Sequence, residues 1–137
     1  ATPTPIPPTP TPGLGFYRGI GPIFMPTNNR WITLWVKVYG GSGEGYPIAG
    51  WRIQATCNGA VVGVSEPSAA TFHYSAPPGY GNRVLYNAKL EFPDPGTATC
   101  QAYLIDAGGV RRSPVVEFTV QPVNPNREIY IGFLAVQ

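Results

Sequence analysis

Cys57 and Cys100 are the two residues of this chain whose types and positions predict definite chemistry. Cys57 ends the run 51–57, in which every second residue is apolar, and Cys100 lies in the similar run 98–104. Because alternate side chains of a strand point to the same face, both cysteines are expected on inward faces. We predict an inter-strand disulfide that closes a loop of 43 residues, a constraint that stabilises a fold by about 4 kcal/mol in the chain-entropy model. The alternative is a pair of free buried thiols.

Residues that could catalyse a reaction are sparse. His73 is the only histidine and lies among aromatic residues, where packing is its commoner role. The seven acidic residues are scattered, and Asp94 and Asp106 stand apart from other oxygen ligands, so we predict neither a metal site nor a cofactor. The glycine-rich loop 40–45 lacks the rest of a phosphate-binding motif. We therefore expect no enzyme. The remaining alternative is a small hydrolase, with two carboxylates brought together by folding.

Composition excludes two further classes of protein. Nine basic residues are spread along the chain, and the net charge is only +2, whereas nucleic-acid binding requires a clustered basic face. No run of about 18 apolar residues occurs, so no membrane-spanning helix is expected. Charged residues make up 12% of the chain, about half of the usual share. Together with a disulfide, this composition indicates a secreted or cell-surface protein.

The N-terminal residues 1–13 are predicted to form an extended tail outside the folded domain, which we place at 14–137. Six of the first twelve residues are proline, which favours a polyproline II path and prevents core formation. The tail is interpreted as a semi-rigid spacer. A second interpretation, compatible with the first, is a stalk that is O-glycosylated at Thr2, Thr4, Thr9 and Thr11.

The domain consists of short apolar runs separated by turn signals about every 8–12 residues, and no run has helical periodicity. This pattern predicts an all-β, antiparallel sandwich of about 7–9 strands. Asn58-Gly59 predicts a two-residue hairpin turn. The predicted strands are 14–24 (an edge strand or an exchanged one), 31–39, 51–57, 60–64, 71–75, 83–92, the run around Cys100, 115–120 and 128–136.

Two segments resemble bacterial immunoglobulin-like domains. The run 103–109, followed by 113–120, is similar to their last hairpin, and 47–53 is similar to the strand after their Pro-x-x-Gly turn. The resemblance covers about half of the chain. It implies an immunoglobulin-like sandwich displayed outside a bacterial cell, without catalytic residues. The chain departs from antibody domains because Trp51 lies on the same strand as Cys57.

Two predicted strands are apolar on both faces, although an antiparallel sheet with one wet face normally alternates. One face suffices for the core, so something must cover the other. Three covers are considered: residues 1–24 of the same chain, a neighbouring subunit, or a sugar stacked on the aromatic strip. Residues 16–24 could also add a strand to a neighbour. The residues of this second face are Trp31, Trp35, Tyr39, Tyr130, Leu134 and Val136.

The leading hypothesis is a non-catalytic extracellular structural module. Its partners would be copies of itself, in a surface filament or array, or neighbouring surface domains that it displays. The alternative is a carbohydrate-binding module that the Thr/Pro linker tethers to a secreted enzyme, with polysaccharide as its partner. In either case the second face, which carries Trp31, Trp35 and Tyr39, is the predicted interface or ligand platform.

Overall fold

The computed structural model describes residues 15–27, 30–75, 83–121 and 125–136, which form eleven β-strands and no helix. The predicted all-β class is confirmed. The tail, with its four threonines, lies outside the described residues. The strands are β1 Phe16–Met25, β2 Trp31–Gly40, β3 Tyr46–Pro47, β4 Arg52–Cys57, β5 Ala60–Val64, β6 His73–Ser75, β7 Val84–Tyr86, β8 Ala88–Pro93, β9 Ala98–Ile105, β10 Val116–Val120 and β11 Glu128–Ala135.

The strands form two main sheets that pack face to face. The first sheet has the order β1-β11-β2, and both β3 and β8 pair with β2 along its other edge. The second sheet has the order β10-β9-β4-β5. Inward residues of the two sheets share one core cluster, which contains both cysteines and fully buried side chains such as Leu34, Ile53 and Phe133. The predicted alternation of β4, β8, β9 and β10 is confirmed by their burial patterns.

The last strand, β11, lies between the first two. It pairs in parallel with β2, from Glu128 opposite Thr33 to Leu134 opposite Tyr39, and antiparallel with β1 on its other side. The sandwich predicted to be antiparallel is therefore mixed at this ladder. The sequence alternation of β2 and β11 is the same for either direction of pairing, so alternation alone could not distinguish them.

The prediction of one continuous strand over 83–92 differs from the structure, because the chain bends at Asn87. Residues before the bend form β7, which pairs with β6 in a separate two-stranded sheet. Residues after it form β8, which enters the first sheet. The buried Asn87 side chain bonds to backbone groups of Val38, Ile48 and Ala69, and this binding holds the bend in place. We call β6 and β7 the flap.

The flap lies over the outer face of the first sheet. A second hydrophobic cluster, separate from the core between the sheets, joins Met25 of β1, Trp35 of β2, Val84 of the flap and Tyr130 of β11. This outer cluster explains why β2 and β11 are apolar on both faces. In the part of the chain that the structure describes, no helix is long and apolar enough to span a membrane.

The hairpin predicted at Asn58-Gly59 is confirmed. Both residues have positive φ, 50° at Asn58 and 82° at Gly59, as a type I′ turn requires. The turn joins β4 to β5, and it places Cys57 opposite Ala60.

Candidate functional site

The two cysteines form the predicted disulfide. Their Sγ atoms are 2.10 Å apart and their Cα atoms 4.0 Å apart. The residues face each other directly across β4 and β9, so the bond links neighbouring strands of one sheet. Both side chains lie in the core, and no free cysteine remains. The predicted disulfide is therefore confirmed, the alternative of two free buried thiols is wrong, and the cysteines offer no thiol chemistry.

The residues of the predicted platform have very different exposures. Trp35, Tyr39 and Tyr130 are each only 7% exposed, whereas Trp31 is 47% and Val136 is 42% exposed; Leu134 is half-buried. The aromatic strip is thus interrupted within the single chain. Only its Trp31 end and its Val136 end, at opposite ends of the first sheet, reach the surface.

The flap and β1 together cover the buried part of the strip. The rings of Trp35 and Tyr86 meet edge to face, with centroids 4.7 Å apart. The Tyr130 hydroxyl donates a 2.6 Å hydrogen bond to the Leu85 carbonyl oxygen. From the other expected cover, residues 14–24, Ile20 and Ile23 also pack against the outer cluster. An intramolecular cover therefore exists: β1 supplies the expected part of it, and the flap supplies a part that the sequence pattern did not predict.

Two charged residues are buried on this outer face. The Nζ of Lys37 lies 4.3 Å from the centroid of the Tyr39 ring and 5.3 Å from that of Phe72, in positions that allow cation–π attraction. Burial lowers the pKa of Lys37, and the charge of Glu44 partly opposes this effect. Burial also raises the pKa of the Tyr39 hydroxyl. Both pKa shifts oppose the formation of charge on this buried part of the outer face.

Glu128 is the second buried charged residue. Its Oε1 accepts a 3.1 Å hydrogen bond from the Trp35 indole Nε1. Its Oε2 is buried and has no hydrogen-bond partner among the residues that the structure describes. Neither Glu128 nor Lys37 lines the clefts that open on the surface of the described residues, so both side chains belong to the packing on the outer face of the first sheet.

The remaining candidates for chemistry have structural roles. His73 is exposed on the flap, with its ring centroid 5.8 Å from that of Tyr86. Asp106 accepts hydrogen bonds from the backbone N–H groups of Gly108 and Val110 and from Arg112 Nε. The Val110 N–H and then Arg112 lower the pKa of this carboxyl group. Among the described residues, no three His, Cys, Asp or Glu side chains are grouped to hold a metal ion.

An open cleft of about 530 Å³ lies where β2 and β11 begin and β8 ends. Trp31 lies opposite Pro93 in the β2–β8 ladder. Asp94 accepts the Gly96 N–H on Oδ1, at 2.8 Å, and on Oδ2 a 3.1 Å bond from Arg127 Nε. We call this the Trp31 cleft; its lining residues are Arg30, Trp31, Pro93, Asp94, Gly96 and Arg127.

Only Trp31 of this cleft was predicted as a functional residue. Arg127 and Asp94 are 33 positions apart in the chain, and only the insertion of β11 beside β2 brings them together. The sequence signal that could have suggested the site is the adjacent pair Arg30-Trp31, a cation next to an aromatic residue at the start of a strand.

A second surface feature is the outer edge of the first sheet, which β1 occupies. Within the described chain β1 pairs only with β11, and its ladder is interrupted by two register shifts. Phe16 and Met25, at its two ends, are 3% and 0% exposed. In the sequence, residues 26–30 separate β1 from β2.

Comparisons with protein-family models, with curated proteins and with solved structures found no match for this chain.

Proposed function

We propose that this chain is a non-catalytic structural module of immunoglobulin-like type, displayed outside a bacterial cell, that assembles with copies of itself. Assembly would occur by exchange of β1, which leaves its own domain and pairs with β11 of the next copy. The observation that carries the proposal is the position of β1: it is an edge strand, it is separated from β2 by β11, and it is linked to β2 by only residues 26–30.

Exchange would conserve the contacts that β1 makes in the single chain. Phe16 packs edge to face on Trp51, with centroids 4.9 Å apart, and Met25 lies fully buried in the outer cluster. Identical pockets exist on every copy, so exchange replaces each contact that β1 makes in its own domain by the same contact to another copy. High local concentration favours the exchanged form. A copy without β1 would expose the edge of β11 and the pockets that hold Phe16 and Met25. This exposure favours the pairing of β11 with β1 of another copy.

The other parts of the chain fit an extracellular assembly. The disulfide is typical of oxidising compartments, and it links β4 and β9, neither of which must move during exchange. The Thr/Pro tail immediately precedes β1. A polyproline II segment of 13 residues would span about 40 Å, enough to separate successive domains.

Engineered cross-linking would test the exchange. Tyr17 and Leu134 face each other across β1 and β11, so a Tyr17→Cys/Leu134→Cys variant forms a disulfide in either arrangement. We expect ladders of covalent multimers on a non-reducing gel of concentrated protein. The matched control is Gln54→Cys/Val64→Cys, which joins the β4–β5 hairpin and should give monomers only. Exclusive monomers from the first variant, together with a single monomeric species in light scattering, would refute the proposal.

The second candidate function is a carbohydrate-binding module on a Thr/Pro linker. The Trp31 cleft favours it, because this cleft retains the one tryptophan of the predicted platform that is substantially exposed. Polysaccharide pull-downs test it: Trp31→Ala should abolish retention. Trp35→Ala is not a suitable probe, since Trp35 is buried and its truncation would disturb the outer cluster.

A further inference from the structure

We propose that the Trp31 cleft binds an acidic sugar, a uronate residue of a polysaccharide. This inference rests on the second candidate function, and it is independent of the exchange of β1. It specifies the chemical class of the ligand from three features: an exposed aromatic ring, an oriented guanidinium group and a cation without an acidic partner.

The aromatic side of the cleft is Trp31. Its side chain is about half exposed, and its backbone is held opposite Pro93 by the β2–β8 ladder. An indole ring combines a large apolar surface with a polar N–H, so its face suits the C–H face of a pyranose ring. The cleft volume of about 530 Å³ lies in the usual range for small-molecule sites, large enough for one or two sugar residues.

The oriented cation is Arg127. Its Nε donates to Asp94 Oδ2, and Asp94 is itself held by the Gly96 N–H. The side chains of Arg127 and Asp94 are only 16% and 19% exposed, so the pair is well ordered. This bond uses one edge of the guanidinium group, and no other hydrogen bond of Arg127 involves a side chain within the described ranges. The terminal N–H groups can therefore donate to a ligand.

The charge of the cleft favours a carboxylate ligand. Asp94 compensates Arg127, whereas Arg30 forms no ion pair among the described residues, which include all seven acidic positions. The cleft therefore carries a net positive charge. Guanidinium groups bind carboxylates through paired, charge-assisted hydrogen bonds, and a uronate differs from a neutral sugar by this group. A neutral sugar would stack on Trp31 without neutralising the positive charge of Arg30.

Affinity electrophoresis of the full chain provides the test. The gels would contain polygalacturonate, alginate, or neutral xylan or β-glucan. We expect retardation by the two uronans, weakened at least tenfold by Trp31→Ala and by Arg30→Gln. Arg52→Gln is the matched charge control, since Arg52 is exposed on β4 in the other sheet. Tyr74→Ala is the aromatic control, because Tyr74 is 57% exposed on the flap. Neither control should change the affinity, and thermal midpoints would verify that each variant folds.

The outcomes distinguish a failure of the uronate inference from a failure of the carbohydrate-binding function. Equal retardation by neutral and acidic polymers would refute the uronate inference and retain the carbohydrate module. No retardation by any polymer would refute both. An equal loss in Arg52→Gln would show attraction to overall charge and overturn the site, as would displacement of the uronan by inorganic phosphate at the concentration at which free galacturonate displaces it. None of these results bears on cross-linking through β1.

Discussion

The side-chain amide of Asn87 pairs with the backbone of Val38 as a strand residue would. The Val38 N–H donates to Asn87 Oδ1 at 2.7 Å, and Asn87 Nδ2 donates to the Val38 carbonyl oxygen at 3.0 Å. This pair lies between the end of the β2–β8 ladder at Val36 and the start of the β2–β3 ladder at Tyr39. One side chain thus completes the edge of β2 where the chain turns from the flap into the sheet.

Replacement of Asn87 should therefore be among the most damaging single changes. Asn87→Ala leaves the buried Val38 N–H without its partner and removes the side-chain bonds to three carbonyl oxygens, so we expect a loss of about 2–4 kcal/mol in the free energy of unfolding. Urea denaturation would measure it. Asn87→Asp presents an acceptor to three carbonyl oxygens, so its carboxyl pKa should rise on folding. The stability of this variant should then be highest below the unfolded pKa and fall as pH rises from that value through the raised folded pKa. A loss below 1 kcal/mol in both variants would contradict this role.

Loss of the disulfide should weaken the fold without changing it. We expect Cys57→Ala/Cys100→Ala to lower the free energy of unfolding by about 2–4 kcal/mol, while the far-ultraviolet circular dichroism of the folded state is unchanged. The strands β4 and β9 keep their hydrogen bonds, so the register should survive. Chemical denaturation of the oxidised, reduced and double-variant proteins would measure the difference; equal stability of all three would contradict the prediction.

Acid should destabilise the turn at Asp106. The folded state lowers the pKa of this carboxyl group, so the stabilisation that it gives is present above the unfolded pKa and is lost as pH falls through the lowered folded value. We expect Asp106→Asn to keep the turn, because an amide oxygen still accepts from Gly108 and Val110, but to flatten the dependence of stability on pH below about 4. Thermal unfolding from pH 2 to 7 would test this; identical slopes for both proteins would exclude it.

The flap should be held in part by the Tyr130 hydroxyl. Tyr130→Phe removes the bond to the Leu85 carbonyl oxygen, so we expect a loss of about 1 kcal/mol and faster amide exchange in β6 and β7. Hydrogen exchange with mass spectrometry would localise the effect. Tyr46→Phe is the control, since Tyr46 is 53% exposed on β3. Exchange that increases equally in both variants, or only outside the flap, would disprove the assignment.

The two tryptophans of β2 should respond very differently to truncation. Trp35→Ala removes a buried ring from the outer cluster, and we expect it to cost about 3–5 kcal/mol. Trp31→Ala should change stability by less than about 1 kcal/mol, because the ring is substantially exposed. Equilibrium unfolding of both variants distinguishes the covered strip from an exposed platform, on which both truncations would be mild.

Local sequence patterns predicted the features that local physics determines. Alternation in the run up to Cys57 placed that side chain inward, and Asn58-Gly59 specified its turn. The excess of apolar residues in β2 correctly indicated a second cover. Part of that cover was among those considered, since Ile20 and Ile23 of β1 pack against the outer cluster. The contribution of the flap could not be predicted, because the alternation from Val84 to Phe92 continues through Asn87, where the side-chain bonds that bend the chain connect distant residues.

The Trp31 cleft escaped prediction for a related reason. Arg127 and Asp94 become neighbours only because β11 pairs in parallel with β2. The alternation of apolar residues in β11 is the same for either strand direction, so it could not predict this pairing. The exposure of Trp31 and the burial of Trp35 likewise depend on how far the flap extends along β2. Two residues of the same type on the same face of one strand therefore have different roles.

The placement of β11 between β1 and β2 also determines how the domain would respond to tension. The Val136 N–H bonds to the Gly15 carbonyl oxygen at 2.9 Å, so a pull on residues 15 and 136 acts on adjacent ends of β1 and β11 and separates their hydrogen bonds one at a time. Release of residues 16–30 would add roughly 50 Å of chain. The pull would then act on opposite ends of the parallel β2–β11 ladder, where all hydrogen bonds share the load. The domain would thus lengthen under weak force and then resist a stronger one.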